Sequence, residues 1–268
     1  MRNEILLAME GVLGEPPGLL LVHSSLAKLA PDAPFTKWDF LFAIRKLVDR
    51  GWTIAFPSFT FSFTKTKYFS ISESGSETGI LADWVHNEFA DALRTLDPIY
   101  SFVVIGCQAD EVLICQSKTT FGDSSPFSLF EQKNATVCLL GASWNDCTQF
   151  HRYEEMASVP YRYFKTFDGV QQVGDQKLDT QTKMFVRDLD LAFENDFSPL
   201  IEQLESDNCI RSVKLARGKV QSAYIRDIRD IAMSQLSSDP LIYVKDRKKS
   251  GLRLSQRVAR ESQDDFHV

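Results

Sequence analysis

The spacing of apolar and polar positions changes period repeatedly along the first part of this chain. GLLLVH (18–23) is continuously apolar, as expected for a strand covered on both faces. WTIAFP (52–57), SFVVIG (101–106) and TVCLLG (136–141) repeat that signature. Between them, TKWDFLFAIRKLVDRG (36–51) has apolar residues at helical spacing and a closing glycine. SETGILADWVHNEFADAL (76–93) starts polar and turns amphipathic, and PFSLFEQ (126–132) reads as a short helix opened by proline. Strand and helix in alternation predict a layered α/β sheet whose functional residues gather at strand ends.

Later in the chain the period shortens. YRYFKTFDG (161–169) and KMFVRDLDLA (183–192) alternate like hairpin strands, and helices are predicted near 198–206 and 219–236. No low-complexity linker intervenes, so 1–245 reads as a single domain with an antiparallel or mixed extension. The residues beyond it (246–268) are dense in charge and read as a solvated tail.

Composition narrows the function classes. The chain has 268 residues, 44% of them hydrophobic and 25% charged, which is ordinary globular usage. A formal charge of −6 argues against a nucleic-acid groove, which needs a basic stripe to meet phosphates. The five cysteines are odd in number, without a CxxC pair, and several sit in apolar runs, so reduced thiols and a cytoplasmic location are expected. The start of the chain lacks the long apolar stretch of a signal peptide, and no window is apolar enough to enter a membrane. Twenty phenylalanines suit either a large core or an exposed patch for a homodimer.

Five stretches carry chemistry, each beside a plainer reading. LVHSSL (21–26) sets His23, Ser24 and Ser25 just past a strand, either as ligand donors or as a helix cap. FPSFTFSFT (56–64) is either a pocket with an aromatic floor or an edge strand alternating Phe with Ser and Thr. RTLDPIYSFVVIG (94–106) places Arg94, Asp97 and Ser101 ahead of a strand, with a surface Arg–Asp pair as the plainer alternative. FGDSSPFSL (121–129) offers Ser124 and Ser125 before Pro126, the pattern of a capped helix start. TQFHRYEE (148–155) puts Thr148, His151 and Glu154 three residues apart, on one face of a helix. A carboxylate-held imidazole is suited to taking a proton from an attacking amine near neutral pH. The same pair would also serve as a structural contact. With four histidines in the chain and no third ligand at a suitable spacing, no metal is expected.

In order, VHSSL, FPSFTF, TGILADW with RTLDPIYSFVVIG, FGDSSPFSLF and LLGASWNDCTQFHRYEE resemble the aminoglycoside 3-N-acetyltransferase family. The motifs span about residues 18–165, with weaker likeness over 196–243. The resemblance implies a three-layer α/β/α sandwich with a mixed sheet. It also implies acyl transfer from acetyl-CoA or another acyl-CoA, a co-substrate, to the amine of an amino sugar. Carried over by position, His151 would be the general base, Glu154 its orienting partner and Thr148 a neighbour of the thioester. Ser24 and Ser25 would lie along the coenzyme arm or the acyl carbonyl, with Ser101 and Ser125 nearby.

Two departures bear on the acceptor. Asp97 stands where the family typically has histidine before proline, and 68–78 reads YFSISESGSET rather than the usual FDP and TPS elements. PYRYFKTFDG (160–169) is similar to relatives in surface-polysaccharide synthesis, which implies a nucleotide-linked amino sugar as acceptor. Arg162 and Lys165 would then grip the diphosphate, with Asp97 also on the substrate. The alternatives are an aminoglycoside acceptor and resistance to it, or a non-catalytic acyl-CoA or sugar-nucleotide binding protein. A serine hydrolase is disfavoured by the absence of a G-x-S-x-G turn.

Overall fold

Two apolar cores lie on opposite sides of one sheet in the computed structural model, which describes residues 2–29, 35–189 and 194–245. The predicted tail 246–268 and the end of KMFVRDLDLA lie outside the described residues.

The sheet's strands are β1 (Gly18–Ser24), β2 (Trp52–Pro57), β4 (Leu93–Arg94), β5 (Phe102–Ile105), β6 (Thr136–Leu140), β9 (Arg211–Leu215) and β10 (Gly218–Tyr224), in the order β4-β5-β2-β1-β6-β10-β9. β1 runs parallel to β2 and β6, and the outer pairings are antiparallel, so the sheet is mixed. The unbroken apolar run of β1 follows from this placement. Leu19 and Leu21 face one core while Leu20 and Val22 face the other, so each side of the pleat is covered.

The layer over Leu20 and Val22 is built from α1 (Arg2–Glu10), α3 (Lys37–Asp49) and α5 (Ile80–Glu88), which contribute Ile5, Ile44 and Val85 among others. Thr36 caps α3 through a box with Asp39, and Gly51 follows its end with φ +99°, a turn open to glycine. The opposite layer holds α7 (Pro126–Gln132), α8 (Phe150–Met156), α9 (Ser198–Ser206) and α10 (Ile225–Ser238). Short helices α2 (Leu26–Leu29), α4 (Phe63–Thr66) and α6 (Ala109–Leu113) fill connections. A second, three-stranded sheet joins β3 (Tyr68–Ser70) to the long hairpin β7 (Arg162–Val173) and β8 (Gln176–Arg187). Among the described residues no helix is long and apolar enough to cross a membrane.

Two expectations change. The helix predicted over 219–236 begins only at Ile225; residues 218–224 are instead a strand paired with both β6 and β9. The edge-strand reading of 56–64 also falls, since the strand stops at Pro57 and Ser58, Phe59 and Thr60 turn inward as buried loop residues. Arg94 explains that loop. Its buried guanidinium donates to Ser58 O (2.7 Å) and Thr60 Oγ1 (3.2 Å), and also to Ser74 O, so it is no surface partner of Asp97.

Candidate active site

The C-terminal ends of the three mutually parallel strands open into one cavity of about 440 Å³. β1 brings His23, Ser24 and Ser25 to it, β2 brings Pro57 followed by Phe59 and Phe61, and the segment after β6 brings Asp146, Thr148 and His151. This is the edge where α/β sheets hold ligands. Gly141 allows the approach: its φ is +72°, and a Cβ there would lie 2.7 Å from Ser25 O.

His151 sits in the first turn of α8, its amide donating to Thr148 O (3.1 Å), so Thr148 precedes the helix rather than lying within it. The His151 side chain, 24% exposed, meets Glu154 one turn on, with Nδ1 2.6 Å from Oε2. Phe121 and Phe197 flank the ring with centroids 5.8 and 5.9 Å away.

Glu154 is fully buried and saturated with donors. Its Oε1 accepts from the Tyr161 hydroxyl (2.8 Å) and from Asn195 Nδ2 (2.8 Å), while Oε2 also pairs with Arg162 Nε at 3.0 Å. Burial alone would raise this carboxyl's pKa. Arg162 and His151, with the hydrogen bonds, outweigh it and hold the group well below the usual carboxylate range, so it is ionised. The Tyr161 phenol is pushed up by burial and then by Glu154, and stays a donor. A short contact from an ionised carboxylate to Nδ1 places the ring proton there and leaves Nε2 as the basic atom. Burial first, and the Arg162 charge second, lower the His151 pKa against the opposing pull of Glu154, so the ring is neutral at neutral pH.

His23 is a second neutral imidazole in the cavity wall, 7% exposed, its pKa lowered to about 4 by burial against the pull of Asp146. Lys28 also lines the cavity and pairs loosely with Asp146 at 3.8 Å, its side chain 65% exposed.

The cavity thus gathers Ser24, Ser25, Thr148 and His151. Other predicted site residues lie elsewhere. Ser101 is 0% exposed and donates to Ser58 O at 2.6 Å, while accepting from Arg94 Nε at 3.0 Å. It braces the loop and offers no face to a ligand. Ser125 caps α7 through its Oγ, which accepts from Ser128 N at 3.2 Å. Replacing Ser125 with alanine is expected to cost about 1 kcal/mol of stability while leaving acyl-CoA affinity unchanged. A denaturation midpoint and a donor KM check both halves. Asp97 and Ser125 line a different cavity, of about 350 Å³. There the Asp97 carboxylate accepts from the amides of Ile99 and Tyr100 (2.8 Å each) and from Thr120 Oγ1 at 3.1 Å. Arg162 is buried against Glu154, and Lys165 stands exposed on β7 with Nζ 5.4 Å from the Phe167 ring. The two cations assigned to a diphosphate therefore do not form one site.

The sequence motifs assign no role to Tyr161 or Asn195. Tyr161 lies within the PYRYF stretch (160–164), while Asn195 is 41 residues from Glu154 and carries no local signal.

Fold and site together define a layered α/β protein with a histidine–carboxylate dyad in a strand-end cavity. The family model for aminoglycoside 3-N-acetyltransferases matches residues 21–237, and the chain belongs to this family, whose members are acyl-CoA-dependent N-acyltransferases. No curated protein sequence matches it. Solved structures similar to the chain include AAC(3)-IIb, with a TM-score of 0.75, 19% identity, and coverage of 89% of this chain and 97% of that one. A binary complex of AAC-IIIb with CoASH gives a TM-score of 0.74 at 14% identity, covering 89% and 96%. A mutant of AAC(3)-IVa in complex with a gentamicin gives 0.72 at 21% identity, covering 90% of each. These likenesses carry the fold.

Proposed function

We propose that this protein transfers an acetyl group from acetyl-CoA to an amine of an aminoglycoside, with His151 as general base. The observation that carries the reading is the 2.6 Å contact between His151 Nδ1 and a buried, ionised Glu154, at the wall of a cavity shared with Ser24, Ser25 and Thr148. A ring so held keeps Nε2 unprotonated at neutral pH, which is the state an amine-activating base needs. The donor supplies an acyl carbon activated as a thioester. The acceptor nitrogen bonds to that carbon, the carbon–sulfur bond breaks, and the amine proton passes to Nε2 and on to the departing sulfur. Glu154 steadies the imidazolium formed in between. Ser24, Ser25 and Thr148 line the same cavity, and their hydroxyls would donate to the carbonyl oxygen as its charge grows. Lys28, exposed in the same cavity, suits an anionic part of the coenzyme.

The aminoglycoside reading is preferred to a nucleotide-linked amino sugar. Its support is the family match and a similar structure that holds a gentamicin. The nucleotide-sugar reading needs Arg162 and Lys165 to act together, and Arg162 is engaged with Glu154. The test is thiol release from acetyl-CoA in parallel with gentamicin-type aminoglycosides, with nucleotide-linked amino sugars, and with no acceptor. Release with the aminoglycosides alone is expected. Release with nucleotide sugars alone would return the enzyme to polysaccharide chemistry, and equal release without any acceptor would make it a thioesterase.

A further inference from the structure

Arg162 does more around the dyad than neutralise a carboxylate. It opens β7, the first strand of the long hairpin, and its side chain is only 6% exposed. Nε pairs with Glu154 Oε2 at 3.0 Å. Nη1 donates to Phe185 O of β8 at 3.3 Å, and Nη2 donates to Asn195 Oδ1 at 3.3 Å. The same Nη2 lies 3.1 Å from His151 Nδ1.

That last distance cannot be an ordinary donation. Nδ1 already carries the proton that its 2.6 Å contact with Glu154 requires, and a protonated ring nitrogen has no lone pair to offer. The approach is that of a permanent cation beside the ring. Glu154 pulls the ring toward imidazolium, and Arg162, paired with that carboxylate beside the same nitrogen, opposes it. Among the described residues, the charges that act on the ring are Glu154 from its own helix, Arg162 from β7 and, most weakly, Arg187 from β8, so cations outnumber the carboxylate.

We propose that Arg162 is the positioning residue of the dyad, fixing the Glu154 carboxylate and the His151 ring together from the β7–β8 hairpin so that Nε2 of the base is left free for the acceptor. The hairpin, outside the main sheet, thereby sets the state of a base carried by α8. This rests on the reading of His151 as base for its catalytic meaning, but the state of the ring is measurable without turnover.

The experiment is an NMR pH titration of the His151 imidazole in the full chain, its resonance assigned by its loss in His151→Ala, in wild type, Arg162→Lys and Arg162→Gln. In wild type, His151 titrates below the reference value of about 6.5. In Arg162→Gln the midpoint rises by about 1 pH unit or more. Arg162→Lys keeps the charge and stays nearer to wild type. A merely structural arginine would lower stability in both variants and leave the midpoint where it was, and that result overturns the proposal. Should Arg162→Gln fail to fold, the wild-type ring still decides, because an imidazole nitrogen spectrum that places the neutral ring's proton on Nε2 rather than Nδ1 overturns the proposal. Normal turnover by His151→Ala would sink the base assignment alone and leave the titration result standing.

Discussion

Replacing His151 with alanine is expected to lower kcat for acetyl transfer by about 10²- to 10⁴-fold, the usual worth of a positioned general base. The reason is geometric. Of the groups lining the cavity around Ser24, Ser25 and Thr148, the imidazole is the one with a basic nitrogen fixed by a buried carboxylate partner. Acetyl-CoA affinity is expected to change little, because the remaining lining hydroxyls, aromatics and Lys28 are untouched. Steady-state kinetics that separate kcat from the donor KM check this. A comparable loss in both constants would mean that the imidazole binds the coenzyme rather than activating the acceptor.

The second large effect is on stability. Glu154→Ala leaves the Arg162 charge, the Tyr161 hydroxyl and Asn195 Nδ2 without the oxygen atoms they surround. Breaking a buried ion pair from one side costs about 3–5 kcal/mol, which a urea midpoint would register directly. Replacing both partners of a buried ion pair by hydrophobic residues of similar size is often neutral. The double variant Glu154→Leu with Arg162→Met is therefore expected to recover part of the lost stability and none of the activity. Full recovery of activity in that variant would show that the carboxylate has no part in orienting the base. Lowering the pH acts on the same groups. Because the Glu154 carboxyl is depressed in the folded state, its contribution is complete above the ordinary carboxylate pKa and is lost only as pH falls toward the depressed value.

How much of this was legible in the sequence differs between fold and site. The parallel strands were legible because burial on both faces leaves a continuous apolar run, as in β1 and β6. β10 was not, because Ile225, Ile228, Ala232 and Leu236 impose a helical period on the following residues. What makes 218–224 a strand is pairing with two distant segments. The dyad was legible as a spacing within one helical turn. Its surroundings were not, since Tyr161, Arg162 and Asn195 reach Glu154 from the hairpin and from the segment before α9. Ser101 and Ser125 matched motif positions, yet one braces Arg94 and the other caps a helix. Motif order records which residues occur together, not which way each side chain faces.

The most direct test of the central claim is single-turnover transfer from bound acetyl-CoA to an aminoglycoside, followed by thiol release, in wild type and in His151→Gln. Glutamine preserves much of the shape and can still bond Glu154, so the comparison isolates the missing basic nitrogen. We predict release that requires the aminoglycoside in both proteins and is slower by about 10²-fold or more in the variant. Equal rates in the two proteins would contradict the account, because the proton would then leave the amine without His151.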